Sequence, residues 1–289
     1  MTKFYVASVT PFDIDNKINE KVSEELMNMH INQGADGFFI GGSSAENFLM
    51  TEEERLKSFE LAGKFKDKTD LIAHIGDIST DKAIFYAEYV KKLGYKKISA
   101  VPPFYFGFGQ KEIADYFYDI SNAVDMPVIY YNIPINTHKE IDLNNSDTLK
   151  LLKSGAISGI KHTNFDINQI ERIKNVNNNL HCFGGLEQNM LPFLSFDCDG
   201  FIGSTFNFML PHYKKIASLY SEHNKEALTL QTKANNIMSV IWNIGLFPAI
   251  KYILTKQGID VGTARKPFIQ LTDEEKKIID KVIAENLCN

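Results

Sequence analysis

Cysteine is scarce: Cys182, Cys198 and Cys288 are the only three in 289 residues. The number is odd, there is no C-x-x-C pair, and no histidine stands at matching spacing. Neither a disulfide framework nor a zinc site is therefore indicated, and the three are expected to be reduced thiols. The seven histidines are scattered singly, none in the H-E-x-x-H pairing that places two ligands on one helix face, so chemistry without a metal is expected. An excess of basic charge is also missing. Lys and Arg total 31 against 36 Asp and Glu, the formal net charge is -5, and no dense basic run appears, which argues against a polyanion such as nucleic acid as partner. Long apolar runs are absent too, since even Ile237 to Ile253 is broken by Ser239, Asn243 and Pro248, so no membrane span is expected. The opening MTKFYVASVTPF runs straight into Thr10-Pro11 without the apolar core and cleavage site of a signal peptide, and a cytoplasmic protein is expected.

What is present is ordinary for a globular protein: 44% hydrophobic and 23% charged residues, which excludes disordered and fibrous classes. The length permits two domains, or one α/β barrel of about 250 residues. Short β-type runs recur as FYVASV from Phe4, GFFI from Gly37, LIAHI from Leu71, KISAV from Lys97, VIYYNI from Val128, ISGIK from Ile157, LHCFG from Leu180 and GFIG from Gly200. Between them lie helical patterns with good starts, such as the capping box of Thr51 and Glu54, and Asp81 leading into AIFYAEYVKKLG. Eight βα units with apolar strands predict a (β/α)8 TIM barrel, with a doubly wound open sheet as the alternative.

After the eighth strand the pattern turns helical over Leu210 to Glu222, Lys225 to Ile244, Pro248 to Gln257 and Thr272 to Glu285, the last with a capping box of Thr272 and Glu275. No long Pro/Gly/Ser linker intervenes. The expectation is one structural domain, a barrel over 1–225 carrying the site and a C-terminal helical extension over 226–289. The Asn-rich patch from Asn175 to Asn179 is read as a turn.

In such a barrel the active site lies at the C-terminal ends of the strands. Lys161 ends the sixth strand in an apolar setting, where burial lowers an ammonium pKa and frees an amine to attack a carbonyl; a lysine leaving the barrel into solvent is the bland alternative. Tyr131 ends the neighbouring fifth strand and is placed to move a proton at that amine, unless it is a packing tyrosine with a satisfied hydroxyl. Strand alternation puts Tyr130 on the other face, Thr163 on the side of Lys161, and His162 toward the helices. After the second strand, Gly41-Gly42 permits a tight turn and Ser43-Ser44 offers hydroxyls and N–H groups to a small carboxylate; equally it is only a turn, and it lacks a P-loop lysine.

Seven segments in order carry a family resemblance: ASVTPF, GGSSAE, SAVPPFYF, YNIP, GIKHT, GFIGSTFN and ARKPF. Together they resemble the pyruvate-dependent class I lyases, the family of N-acetylneuraminate lyase and dihydrodipicolinate synthase. The resemblance implies a TIM barrel and a Schiff-base aldolase with no metal or organic cofactor. Lys161 then looks like the imine-forming lysine and Tyr131 like the proton relay. Ser43 and Ser44 would hold the pyruvate carboxylate, and Thr163 would orient imine and substrate. Tyr105 matches a tyrosine lent across a subunit interface, or is simply an aromatic contact there. A homotetramer built as a dimer of dimers is implied, with a small sugar acid and pyruvate as ligands.

Asn136 stands where the synthases resemble one another in carrying an arginine for a second carboxylate, so the charged fork for that substrate is absent. YNIP, GSTFN and RKPF look more like the N-acetylneuraminate lyases, which implies cleavage of N-acetylneuraminate to N-acetylmannosamine and pyruvate, with Gly185, Glu187, Gln188 and Ser204 at sugar-binding positions. The chain departs from that pattern at Ala45 and His138, each in place of glycine, and at Glu187 and Gln188 in place of Asp and Glu. Ala45 requires a negative φ there. The alternatives are an aldolase for another 2-keto-3-deoxy sugar acid, a dihydrodipicolinate synthase-like enzyme, and a silent barrel that binds a 2-oxo acid.

Overall fold

Strands that are covered on both faces must be apolar along their whole length rather than alternating. The segments GFFI and GFIG are of this kind, and every residue in each is buried. A computed structural model describes residues 2–287. The elements run β1 (Lys3–Ala7), α1 (Glu20–Asn32), β2 (Gly37–Ile40), α2 (Glu52–Gly63), β3 (Asp70–His74), α3 (Thr80–Leu93), β4 (Lys97–Ala100), α4 (Gln110–Val124), β5 (Val128–Asn132), α5 (Pro134–Thr137), α6 (Ser146–Lys153), β6 (Ile157–His162), α7 (Asn168–Val176), β7 (His181–Gly184), α8 (Met190–Ser195), β8 (Gly200–Gly203), α9 (Phe206–Ser221), α10 (Glu226–Ile244), α11 (Leu246–Lys256) and α12 (Asp273–Asn286). The strands form a closed parallel barrel in sequence order, β1 to β8. Closure decides for the (β/α)8 barrel against the open sheet.

The chain divides into two compact units, one comprising the residues up to Lys3 with Gly63–Ile202, the other Phe4–Ala62 with Gly203 onward. In the first, Tyr130 of β5 points outward and stacks on Phe117 of α4, with ring centroids 4.4 Å apart. That is the face alternation assigns it. Between β5 and β6 the register changes from Val128↔Ile157 to Ile129↔Gly159, leaving Ser158 as an extra residue in β6. This bulge has a direct consequence for the site.

In the second unit, α10 packs on α9 and α12, and the Thr272/Glu275 capping box starts α12 with both of its hydrogen bonds formed. The Thr51/Glu54 box likewise forms ahead of α2. The helix expected from Leu210 has a short turn ahead of it, beginning at Phe206. The chain kinks at Met209 (φ -141°, ψ 33°) and resumes just before Pro211, whose missing N–H is tolerated at a helix start. One expectation is trimmed: α7 continues to Val176, so Asn175 is helical and the turn begins at Asn177. Cys182 and Cys198 are buried free thiols, and Cys288 lies outside the described residues. Among the described residues no single helix is long and apolar enough to cross a membrane.

Candidate active site

The Ser158 bulge sets which residues of β5 and β6 share a face. Without it the starting frame would bring Lys161 level with Asn132; with it, Tyr131 pairs with Lys161 and Asn132 with His162. Residues in register on parallel strands project to the same side, so Tyr131 and Lys161 meet. The Lys161 Nζ lies 3.9 Å from the centre of the Tyr131 ring, and the Tyr131 hydroxyl shares a hydrogen bond with the amine. Lys161 is 4% exposed. Burial pulls its pKa below the ordinary lysine value, opposed by the Tyr131 phenol and the Glu187 carboxylate. A buried amine of this kind has a larger unprotonated, nucleophilic fraction at neutral pH.

The surroundings of Tyr131 include a residue the sequence did not single out. His74, at the end of β3, presents an edge to the Tyr131 ring at 5.8 Å between centroids, and its Nε2 accepts the Val101 N–H at 3.3 Å. An accepting Nε2 leaves the proton on Nδ1, so His74 is a neutral support for the tyrosine. Only its place at a strand end could have marked it.

Thr163 follows β6 and is buried, and its hydroxyl has no hydrogen-bond partner among the described residues. A buried hydroxyl left in this state is costly, and a ligand oxygen would relieve it. Gly185 makes room for it: a Cβ at 185 would lie 2.0 Å from the Thr163 Oγ1. The next turn begins with Glu187, 3% exposed, whose charge reaches the Lys161 amine. Gln188 is half-buried on the same turn. Tyr105 is elsewhere in character, 74% exposed and edge-on to Phe106 at 5.0 Å.

In the other unit, Ser43 and Ser44 begin a 3-10 turn, Ser43–Ala45, with Ser44 buried. Gly41 enters this turn at φ +73°, a left-handed value that glycine adopts freely. Ala45 is absent from the residues with positive φ, whereas Glu46 takes φ +60°, so the alanine is tolerated and the strain falls one residue later. His138 has φ +52° at the end of α5; glycine would sit there at lower cost, by roughly 1 kcal/mol. Ser204 is half-buried after β8, and its carbonyl accepts the Asn207 amide at 2.6 Å.

Glu46 anchors its loop through a buried charge network. Its carboxylate pairs with Lys251 of α11 at 2.6 Å, with the two side chains 0% and 1% exposed, and accepts the Arg265 N–H at 2.7 Å. Burial lowers Lys251 to about 8, against the pull of Glu46. The Arg265 guanidinium grips Glu54 with two bonds of 2.6 and 2.7 Å, and both cations lie over Phe12, at 4.2 and 3.9 Å from its ring centre. The sequence marks ARKPF only as a motif; the network behind it joins segments that no local pattern links.

Fold and site together define a (β/α)8 barrel with a buried lysine at the end of its sixth strand, faced by a tyrosine from the fifth. The chain belongs to the dihydrodipicolinate synthetase family, whose model matches residues 1–286. It is 36% identical over 279 residues to an N-acetylneuraminate lyase of Fusobacterium nucleatum, covering 95% of each chain. It is 35% identical over 277 residues to an N-acetylneuraminate lyase of Clostridium perfringens, covering 95% of this chain and 96% of that one. Among solved structures, a Clostridium difficile protein crystallised in complex with mannosamine superposes with a TM-score of 0.93 at 34% identity, over 99% of both chains.

Proposed function

We propose that this protein is a class I aldolase that cleaves N-acetylneuraminate to N-acetylmannosamine and pyruvate. The observation that carries the reading is the buried Lys161 amine, set against Tyr131 by the strand register and depressed in pKa by burial. The naming of relatives at 35 to 36% identity as N-acetylneuraminate lyases supports the choice of sugar.

In this mechanism the Lys161 amine adds to the keto carbon of the open-chain sugar acid, and loss of water gives the imine. The bond between carbons three and four breaks as its electron pair moves into the imine, while the carbon-four hydroxyl gives its proton to the Tyr131 relay and becomes the aldehyde of the product. The remaining enamine takes a proton on carbon, and hydrolysis of the imine releases pyruvate and restores Lys161. Ser43 and Ser44 take the carboxylate, Thr163 orients imine and substrate, and Gly185, Glu187, Gln188 and Ser204 serve the sugar. Tyr105 reaches a neighbouring subunit in a homotetramer, with the helical extension over 226–289 as an appendage to the barrel. The buried thiols Cys182 and Cys198 suit the reducing cytoplasm, to which we assign the protein.

A second reading keeps the chemistry and changes the sugar acid. It is favoured by Glu187 and Gln188 and by His138 at a glycine-like backbone position. The test is pyruvate release from N-acetylneuraminate in a coupled NADH assay, with Lys161→Ala beside the wild type. Release that the substitution abolishes supports the proposal; substantial turnover by Lys161→Ala overturns the mechanism. A silent wild type that is still trapped by borohydride with pyruvate at Lys161 moves the assignment to another sugar acid.

A further inference from the structure

We propose that Asn132, His162 and Gln169 are positioning residues that hold Tyr131 and Lys161 in reactive register, a role that rests on the imine chemistry proposed above. Asn132 and His162 directly follow Tyr131 and Lys161 and pair with each other in the sheet, so their side chains project to the opposite, helix-covered face. All three polar side chains are buried, Asn132 and His162 completely.

Their hydrogen bonds form one directed chain. The Asn132 amide donates one N–H to His162 Nδ1 at 3.1 Å and the other to Gln169 Oε1 at 2.9 Å. The Gln169 amide donates to the Ile141 carbonyl at 3.0 Å. Since His162 Nδ1 accepts, Nε2 holds the proton, and it donates to the Asp166 carbonyl at 2.9 Å. Each direction is forced by the next. The backbone of the same two residues carries the neighbouring site residues: the Asn132 carbonyl accepts the Thr163 N–H and the His162 carbonyl the Gly185 N–H, both at 2.8 Å.

The Ser158 bulge is what makes this chain necessary. Without it, the frame set by Val128 and Ile157 would align Lys161 with Asn132 and separate it from Tyr131. A one-residue slip in a sheet reverses the facing of side chains. Only the observed frame brings the Asn132 amide to His162 Nδ1, so the outer network selects the register that the inner chemistry uses.

The test measures kcat and KM for pyruvate release, and the rate of borohydride trapping at saturating pyruvate, in Asn132→Ala, Gln169→Leu and Gln169→Glu. Asn132→Ala is expected to lower kcat and trapping rate by about tenfold or more with KM within about threefold, since misplacing a reacting group costs rate rather than binding. Gln169→Leu, which leaves both strands intact, is expected to lose about threefold, and Gln169→Glu, whose protonated acid keeps both the acceptor for Asn132 and a donor for the Ile141 carbonyl, to recover most of that loss at about pH 6. If Asn132→Ala does not fold, the Gln169 pair decides. Folded variants with wild-type kcat and trapping rate, or with the loss confined to KM, or no difference between Leu and Glu at 169, would overturn the positioning role. A wild type that traps no pyruvate would instead overturn the imine reading itself.

Discussion

Buried histidines should govern how this protein responds to mild acid, and two of them set a calculable part of the response. His30 on α1 and His162 on β6 are both buried and both lowered to about 4, chiefly because burial penalises the charged ring. In the unfolded chain each returns to about 6.5. Between these values the unfolded state binds more protons, so stability is full above about pH 6.5 and is lost as pH falls toward 4. Integrating the linkage from pH 7 to pH 5 gives about 1.8 kcal/mol for each histidine, or about 3.6 kcal/mol for both. Carboxylates whose pKa values are lowered, such as Glu54, act below this window. Urea unfolding at half-unit steps between pH 7 and pH 5 reads the slope directly. His30→Gln is the perturbation: whatever it does to stability at pH 7, it should remove about 1.8 kcal/mol of the pH dependence between pH 7 and pH 5. A variant whose slope equals that of the wild type would refute the reasoning, because protons taken up on unfolding would then not come from His30.

Other outcomes follow from the contacts described. Gly185→Ala places a Cβ against the Thr163 hydroxyl and should lower kcat/KM for pyruvate release by about 100-fold; activity within twofold of wild type would mean that the two residues separate freely. Lys251→Met leaves the Glu46 carboxylate buried without its cation and should cost about 3 kcal/mol in urea unfolding. Adding Glu46→Gln should return about 2 kcal/mol of it, and simple additivity in this double-mutant cycle would argue against coupling.

The barrel was legible because its signal is repeated. Continuous apolar runs alternating with 3.6-residue patterns appear eight times, and closure requires little beyond that count. Caps at Thr51 and Thr272 were readable because each uses residues three apart in sequence. The outward facing of Tyr130 and His162 followed from the two-residue strand period, and Phe117 and Asn132 bear it out. What escaped was long-range or irregular. The bulge at Ser158 depends on how two strands align, which neither strand specifies alone. His74 needed β3 and β5 placed before it could be seen beside Tyr131. The pairing of Glu46 with Lys251 joins segments whose local patterns are complete without each other, and no period in either announces it.

That pairing also sets a clock. Glu46 accepts a hydrogen bond from a residue 219 positions later in the chain, and its other partner, Lys251, is likewise near the end. At about 5 to 20 residues per second, a ribosome takes roughly 10 to 45 s to supply Arg265 after Glu46 emerges. Until then the loop carrying Ser43 and Ser44 lacks the Lys251 cation and the Arg265 N–H that hold its Glu46 carboxylate. The N-terminal βα units therefore wait, water-exposed at this point, for the last helices to be made. Premature termination before α11 would leave a chain that has all eight strands and still cannot seal the loop after its second.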